Sequence, residues 1–439
     1  MVGLKRLAAL ATLALAATLP ALSQGKLASQ VQAFTVDGIH VILSPADNSL
    51  VSVIVGLEGG LLDGQTQNPA ISSFVSDLIT SSGSAAYPKD QFRRITSQTS
   101  TSIYGGGDYR GTNYNLTSTL PNFDKAWDVL ASLITAPAYD ELEYRNIMQR
   151  RVADTKRRWI NPDSYAFIVA DSLAKIGNPV LERYTKQEDV ESITIPMMKE
   201  YMAKVTERSR MLVVVVGNVS QQDIKKKLAA FSSLPLGTYK PAKVPTLTPR
   251  PAPKVQVVDR PESPTTYVYG VFTGPTADQE DFWTMQVGLR YLGNVLFEEI
   301  RTKRNLSYAP GSYLTSTLGQ SRGVMSVSST RPDSSVLIMQ TELEKMRRGE
   351  FDEDRLEKAK QIFITNYYMS QMTNAGVATS LFNAERNTGD WKRAFSIDAI
   401  SNVTKAMVQK GFEKYARNLQ FGVVGPRKGV TEQKYIFRD

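Results

Sequence analysis

Apolar positions along this chain follow two rhythms, one repeating every second residue and one following the turn of a helix. Val31–Ser44 and Ser52–Leu57 read as strands, whereas Ala70–Ser82 and Lys89–Thr99 carry helical spacing. Ser102–Ser118 is rich in Thr, Tyr and Gly and predicts paired strands. Helices are predicted over Phe123–Thr135, Asp140–Trp159, Tyr165–Lys175 and Pro196–Val205, before a strand at Val213–Val216. Asp140 stands in the N-cap place of its helix, with Glu143 in the capping-box position. Mostly alternating strands, then helices, then strands again predict an α+β fold rather than a regular βαβ wrap.

The pattern is written twice, at an offset of roughly 210 residues, far longer than the 20–50-residue period of a solenoid. Val51–Gly60 (VSVIVGLEGG) is answered by Thr265–Pro275 (TTYVYGVFTGP), with Gly56 matching Gly270. A helix opening at Pro121 is answered by one at Pro332, and Val213–Asn218 (VVVVGN) by Phe421–Pro426 (FGVVGP). A chain of 439 residues also exceeds the size at which a single core stops growing. Residues 235–253 hold six prolines without apolar periodicity and read as an extended, semi-rigid linker. The expected division is therefore 1–23 leader, 24–234 first domain, 235–253 linker and 254–439 second domain.

The leader changes the picture of where the protein works. Lys5 and Arg6 precede the apolar run Leu7–Leu19, and Ala21-Leu22-Ser23 offers small residues for cleavage near Ser23. That run is shorter than the roughly 20 residues of a membrane span, and no later segment is long and apolar enough. Export to a periplasm is expected. The formal charge of +9 falls to +7 once Lys5 and Arg6 leave, because 50 basic residues then face 43 acidic ones. Basic runs at Arg145–Arg158 and Lys345–Arg348 interleave with apolar positions and read as solvated helix faces, not as a nucleic-acid surface. Cysteine is absent, which removes disulfides and thiolate chemistry.

Several segments, in order, resemble the pitrilysin-like M16 zinc metallopeptidases. They are Asp37–Pro45 (DGIHVILSP), the predicted helix 70–82 followed by Gly83–Pro88 (GSAAYP), Asn161-Pro162-Asp163 after a long helix, the VVVVGN strand, and Leu296–Tyr308 (LFEEIRTKRNLSY). The resemblance spans essentially the whole mature chain. It implies two homologous pitrilysin/LuxS-like α/β domains of the M16B type.

The family's catalytic signature is H-x-x-E-H on a helix, with a further glutamate on a later helix. Two histidines four apart share a helix face and hold zinc, and the glutamate acts as general base. At the corresponding place this chain has Ser73, Ser76 and Asp77, and the later helix offers only Asp154, beside Arg150 and Arg151. The single histidine of the chain, His40, lies in a strand pattern, and a zinc site without cysteine needs several nitrogen donors. No metal or other cofactor is expected in this chain.

The other half of the family's chemistry has a counterpart. In the second domain of M16 enzymes an arginine and a tyrosine seven residues later contact substrate, and Arg301 and Tyr308 have that spacing. Asn305 stands where the family commonly has glycine, a change that left-handed backbone tolerates. A guanidinium and a phenol can donate hydrogen bonds to a peptide carbonyl as it gains negative charge. The resemblance therefore implies a subunit without zinc that supplies Arg301 and Tyr308, in trans, to a peptide at the zinc of an H-x-x-E-H-bearing partner. A non-enzymatic peptide-binding or scaffold protein is the alternative. Tyr104–Thr119 and Gly323–Ser329 are the candidate sheet edges for adding a peptide strand.

Overall fold

A computed structural model describes residues 28–436. The predicted leader lies outside the described residues. The first sheet is built from β1 (Gln32–Val36), β2 (Ile39–Ser44), β3 (Leu50–Glu58), β4 (Ser102–Gly107), β5 (Gly111–Thr119) and β6 (Met211–Gly217), in the order β1-β2-β6-β3-β5-β4. The second contains β7 (Lys254–Asp259), β8 (Thr266–Thr276), β9 (Gly311–Thr317), β10 (Gln320–Ser329) and β11 (Gln420–Gly425), in the order β7-β11-β8-β10-β9. Leaving out β1, the two sheets share one topology. In each, the last strand runs parallel to the first (β6 beside β2, β11 beside β7), and the other neighbours are antiparallel.

Residues 31–44 were expected as one strand, and the structure makes a hairpin of them. Asp37 and Gly38 take φ values of 48° and 85°, the paired left-handed conformation of a two-residue turn that Asp-Gly favours.

The first half carries the helices α1 (Ile71–Ser82), α2 (Lys89–Gln98), α3 (Phe123–Thr135), α4 (Glu141–Ile160), α5 (Pro162–Lys175), α6 (Ile195–Val205) and α7 (Gln221–Leu228). The second carries α8 (Asp281–Leu296), α9 (Pro332–Arg348), α10 (Glu353–Gln371), α11 (Asn374–Thr388) and α12 (Lys405–Tyr415). Asp140 caps α4 by accepting from the Glu143 N–H at 2.9 Å. The box is not reciprocal, because the Glu143 carboxylate turns to Lys89 (2.7 Å) and Arg93 (2.9 Å).

Central strands are apolar on both faces, not alternating. Every residue of β6 (MLVVVVG) and of β11 (QFGVVG) is buried. In β6, Val213 and Val215 face the first core, under Phe74, Trp127 and Tyr201, while Leu212, Val214 and Val216 face the opposite way. The cover on that second face comes from the other half of the chain. Val377, Ala378, Leu381 and Phe382 of α11 pack on Ile42, Ile54 and Val214 of the first sheet. Reciprocally, Ala170 and Ala174 of α5 pack on Val271 and Val324 of the second. Each crossing helix docks over a glycine. A Cβ on Gly422 would stand 2.3 Å from the Ala166 carbonyl of α5, and one on Gly56 would stand 2.7 Å from the Phe382 ring of α11. The second sheet's inner face is covered by α8, α9 and α12 around Phe272, Met325 and Phe421.

Residues 235–253 contain no helix or strand, yet they are tied down along their length. The Tyr239 hydroxyl bonds Asp63 at 3.1 Å, the Leu247 N–H donates to Gln320 Oε1 at 2.9 Å, and Arg250 donates to the Ile176 carbonyl at 2.9 Å.

Candidate functional site

A cleft of about 750 Å³ opens where the two halves meet. Its walls are the first turns of α1, the second half of α4, the end of α5 and the β9–β10 hairpin. The size lies within the range of ordinary ligand sites. The two strands that reach it, β4 and β9, are both sheet edges, with backbone groups free to pair with another chain. Within Tyr104–Thr119 only the β4 portion is an edge, since β5 is paired on both sides. Gly323–Ser329 belongs to β10, which lies between β8 and β9 and is paired on both sides from Gly323 to Ser326. Of the second sheet's two edge strands, β7 and β9, it is β9 that reaches the cleft.

Helix α1, where the sequence resemblance placed the zinc motif, faces this cleft through Ser73 and Asp77, while Ser76 is buried and donates to the Ser73 carbonyl at 3.1 Å. Two glycines let β4 lie against this helix. A Cβ on Gly105 would approach the Ser76 carbonyl oxygen to 2.4 Å, and one on Gly107 the Ser72 carbonyl carbon to 2.5 Å. Across from α1, Arg151 of α4 donates to the Ser73 hydroxyl (3.0 Å), the Ser73 carbonyl (2.7 Å) and Asp77 Oδ2 (2.6 Å). Arg150 lies 3.6 Å from the same carboxylate oxygen. Asp154 pairs with Arg157 on its own helix. A guanidinium therefore sits where metal donors would have to converge, and the one carboxylate in reach is already engaged, so these residues do not fit zinc. Among the described residues no three His, Cys, Asp or Glu side chains gather as a metal-holding group. His40 instead faces Glu385 of α11 at 3.2 Å, a contact between the halves.

At the floor of the cleft lies a buried ionic cluster that sequence reasoning missed. Asp171 of α5 contacts Lys175 Nζ at 2.6 Å and Arg322 Nε of β10 at 2.5 Å, and it accepts from the Tyr184 hydroxyl. Arg322 also donates to the Gln320 carbonyl (2.9 Å) and the Thr317 hydroxyl (3.1 Å). Burial pushes the Asp171 carboxyl upward, but the charges of Arg322 and Lys175 outweigh it and hold it below the usual carboxylate range. A lone acid in the apolar run FIVADSLAK, with a lysine four residues later, was the available signal.

Arg301 and Tyr308 are brought together, but not in this cleft. After α8 the chain winds one π turn over Phe297–Thr302, a geometry that recurs at functional sites. Asn305 then takes φ 49°, the left-handed conformation expected of it. This reversal lays the Arg301 guanidinium over the Tyr308 ring at 4.1 Å and over the Phe297 ring at 4.8 Å. Tyr308 is 76% exposed. Neither polar head makes a hydrogen bond or ion pair among the described residues, and neither side chain lines the cleft.

Residues 192–363 match the model described as Peptidase M16 inactive domain. This stretch of the chain is similar to the inactive domain of the M16 peptidases. The chain is 22% identical over 398 residues to the "Probable inactive metalloprotease YmfF" of Bacillus subtilis (strain 168), covering 87% of this chain and 90% of that one. The fold superposes on a peptidase M16 inactive domain from Pseudomonas fluorescens with a TM-score of 0.79 at 17% identity, covering 90% of this chain and 98% of the other. It also superposes on the periplasmic protease PqqL from Escherichia coli with a TM-score of 0.76 at 14% identity, covering 91% of this chain and 46% of that one. Among the described residues no helix is long and apolar enough to cross a membrane.

Proposed function

We propose that this chain is the metal-free subunit of a two-subunit peptidase and presents Arg301 and Tyr308 to a peptide held at a zinc-bearing partner. The observation that carries the reading is the outward-facing Arg301–Tyr308 stack, with the guanidinium 4.1 Å from the ring centre and neither polar head given an acceptor among the described residues. Buried donors without partners are costly, whereas exposed ones held in one geometry are ready for an incoming carbonyl. Halves spanning 24–234 and 254–439 enclose the cleft between them, and the β4 and β9 edges pair with the extended peptide. The leader over 1–23 directs the chain to the periplasm, the compartment named for PqqL.

The test is reconstitution with the zinc-bearing chain recovered by native copurification. Tyr308→Phe removes one hydroxyl and should lower kcat by on the order of 10²-fold while folding and subunit association persist. Arg301→Ala should in addition raise KM. Near-wild-type kcat and KM for both variants would remove the pair from the mechanism and leave a scaffold that binds peptides.

A further inference from the structure

We infer that the cleft selects peptides bearing carboxylates. This rests on the reading that the cleft binds peptide, and it follows from a charge inventory of the walls. Every acid there is already held by a base of this chain. Asp77 accepts from Arg151, Asp154 pairs with Arg157, Asp171 lies between Lys175 and Arg322, and Asp108 meets Arg386 at 3.0 Å.

The converse does not hold for the bases. The Arg158 side chain lines the cleft and makes no hydrogen bond or ion pair among the described residues. Arg150 reaches Asp77 only at 3.6 Å and remains 61% exposed, and the buried Arg151 Nε has no acceptor. These three arginines recur on the cleft side of α4, so one wall of a concave site carries spare guanidinium groups.

A lone arginine on a convex helix face would be screened by solvent. In a cleft with low-dielectric walls the same charges focus the field and draw in anions. Guanidinium matches a carboxylate with two parallel hydrogen bonds, which gives it preference over a neutral amide of the same shape. A peptide paired with β4 or β9 points alternate side chains to one face, so acidic residues at every second position would meet this wall.

Fluorescence anisotropy with labelled octapeptides decides the matter on the full chain. The peptides share one backbone and carry Glu, Gln or Lys at alternate positions, each with a free or an amidated C-terminus. The Glu peptide should bind about tenfold more tightly than the Gln peptide, as expected for charge-assisted hydrogen bonds. The preference should shrink at high salt and collapse in Arg158→Gln combined with Arg150→Gln, two exposed positions where circular dichroism can verify folding. If the preference follows only the free C-terminus, the carboxylate recognised is the chain end rather than a side chain. Equal binding of Glu and Gln peptides, or a preference untouched by the double variant, would overturn the inference while leaving peptide binding intact. No binding of any peptide, alone or with the partner, would overturn the peptide-cleft reading as well.

Discussion

The two crossing helices occupy equivalent places and are fastened by opposite means. Helix α5 brings an acid to the second sheet, where Asp171 is fully buried against Lys175 and Arg322. Helix α11 brings a base to the first, where Arg386 meets Glu58 at 2.6 Å and Asp108 at 3.0 Å. One fastening is sealed, and the other is partly open, since Asp108 is half exposed. The Asp171 carboxyl is held below its usual range. Glu58 is pushed above its usual range by burial, which outweighs the attraction of Arg386. Topology is thus duplicated faithfully while the chemistry that locks it has been solved twice.

The contrast predicts an order of effects. Asp171→Ala strands two buried cations and should lower stability by about 3–5 kcal/mol, the range for breaking a buried pair from one side. Arg386→Met should cost less, about 2–3 kcal/mol, because Asp108 regains solvent and Glu58 can take a proton. Denaturant midpoints of the two variants measure both, and a larger loss for Arg386→Met would reverse the comparison.

Acid should separate the fastenings more gently. The contribution of Asp171 is complete above the ordinary carboxylate range and drains away as the pH falls below about 4, because its folded pKa is depressed. Glu58 runs the other way. Its raised pKa makes it most favourable to folding in acid, and that contribution is lost as the pH climbs through the folded value. Asp171→Asn should therefore flatten the fall in unfolding midpoint between pH 7 and pH 3, and Glu58→Gln should steepen it, each by on the order of 1 kcal/mol. Parallel profiles for wild type and both variants would show that neither carboxyl governs acid stability.

Much of this was legible from local pattern. The run VVVV and its counterpart GVV marked the two central strands. The Asp37-Gly38 turn was signalled plainly and still overlooked within a longer apolar run. What local pattern could not carry is the destination of α5 and α11. Ala166, Ala170 and Ala174 make a small-residue face suited to any flat sheet, and nothing in their spacing says which one. The basic run on α4 looked like a solvated face for the same reason. Only the tertiary fold turns Arg150, Arg151 and Arg158 toward a cleft.

The crossing of α11 sets the order in which this protein can be completed. As the chain is synthesised, Ile42, Ile54, Val214 and Val216 are in place once β6 has formed, but their cover begins at Asn374. Until the whole stretch from 218 to 373 has followed, the first sheet shows an apolar face to whatever surrounds it. Closing so long a loop costs only slightly more entropy than closing a short one, because the penalty grows with the logarithm of its length. The greater exposure is to time, since an uncovered strand surface is where association between unfinished chains begins. The chain's interlocked architecture makes its first half dependent on its last.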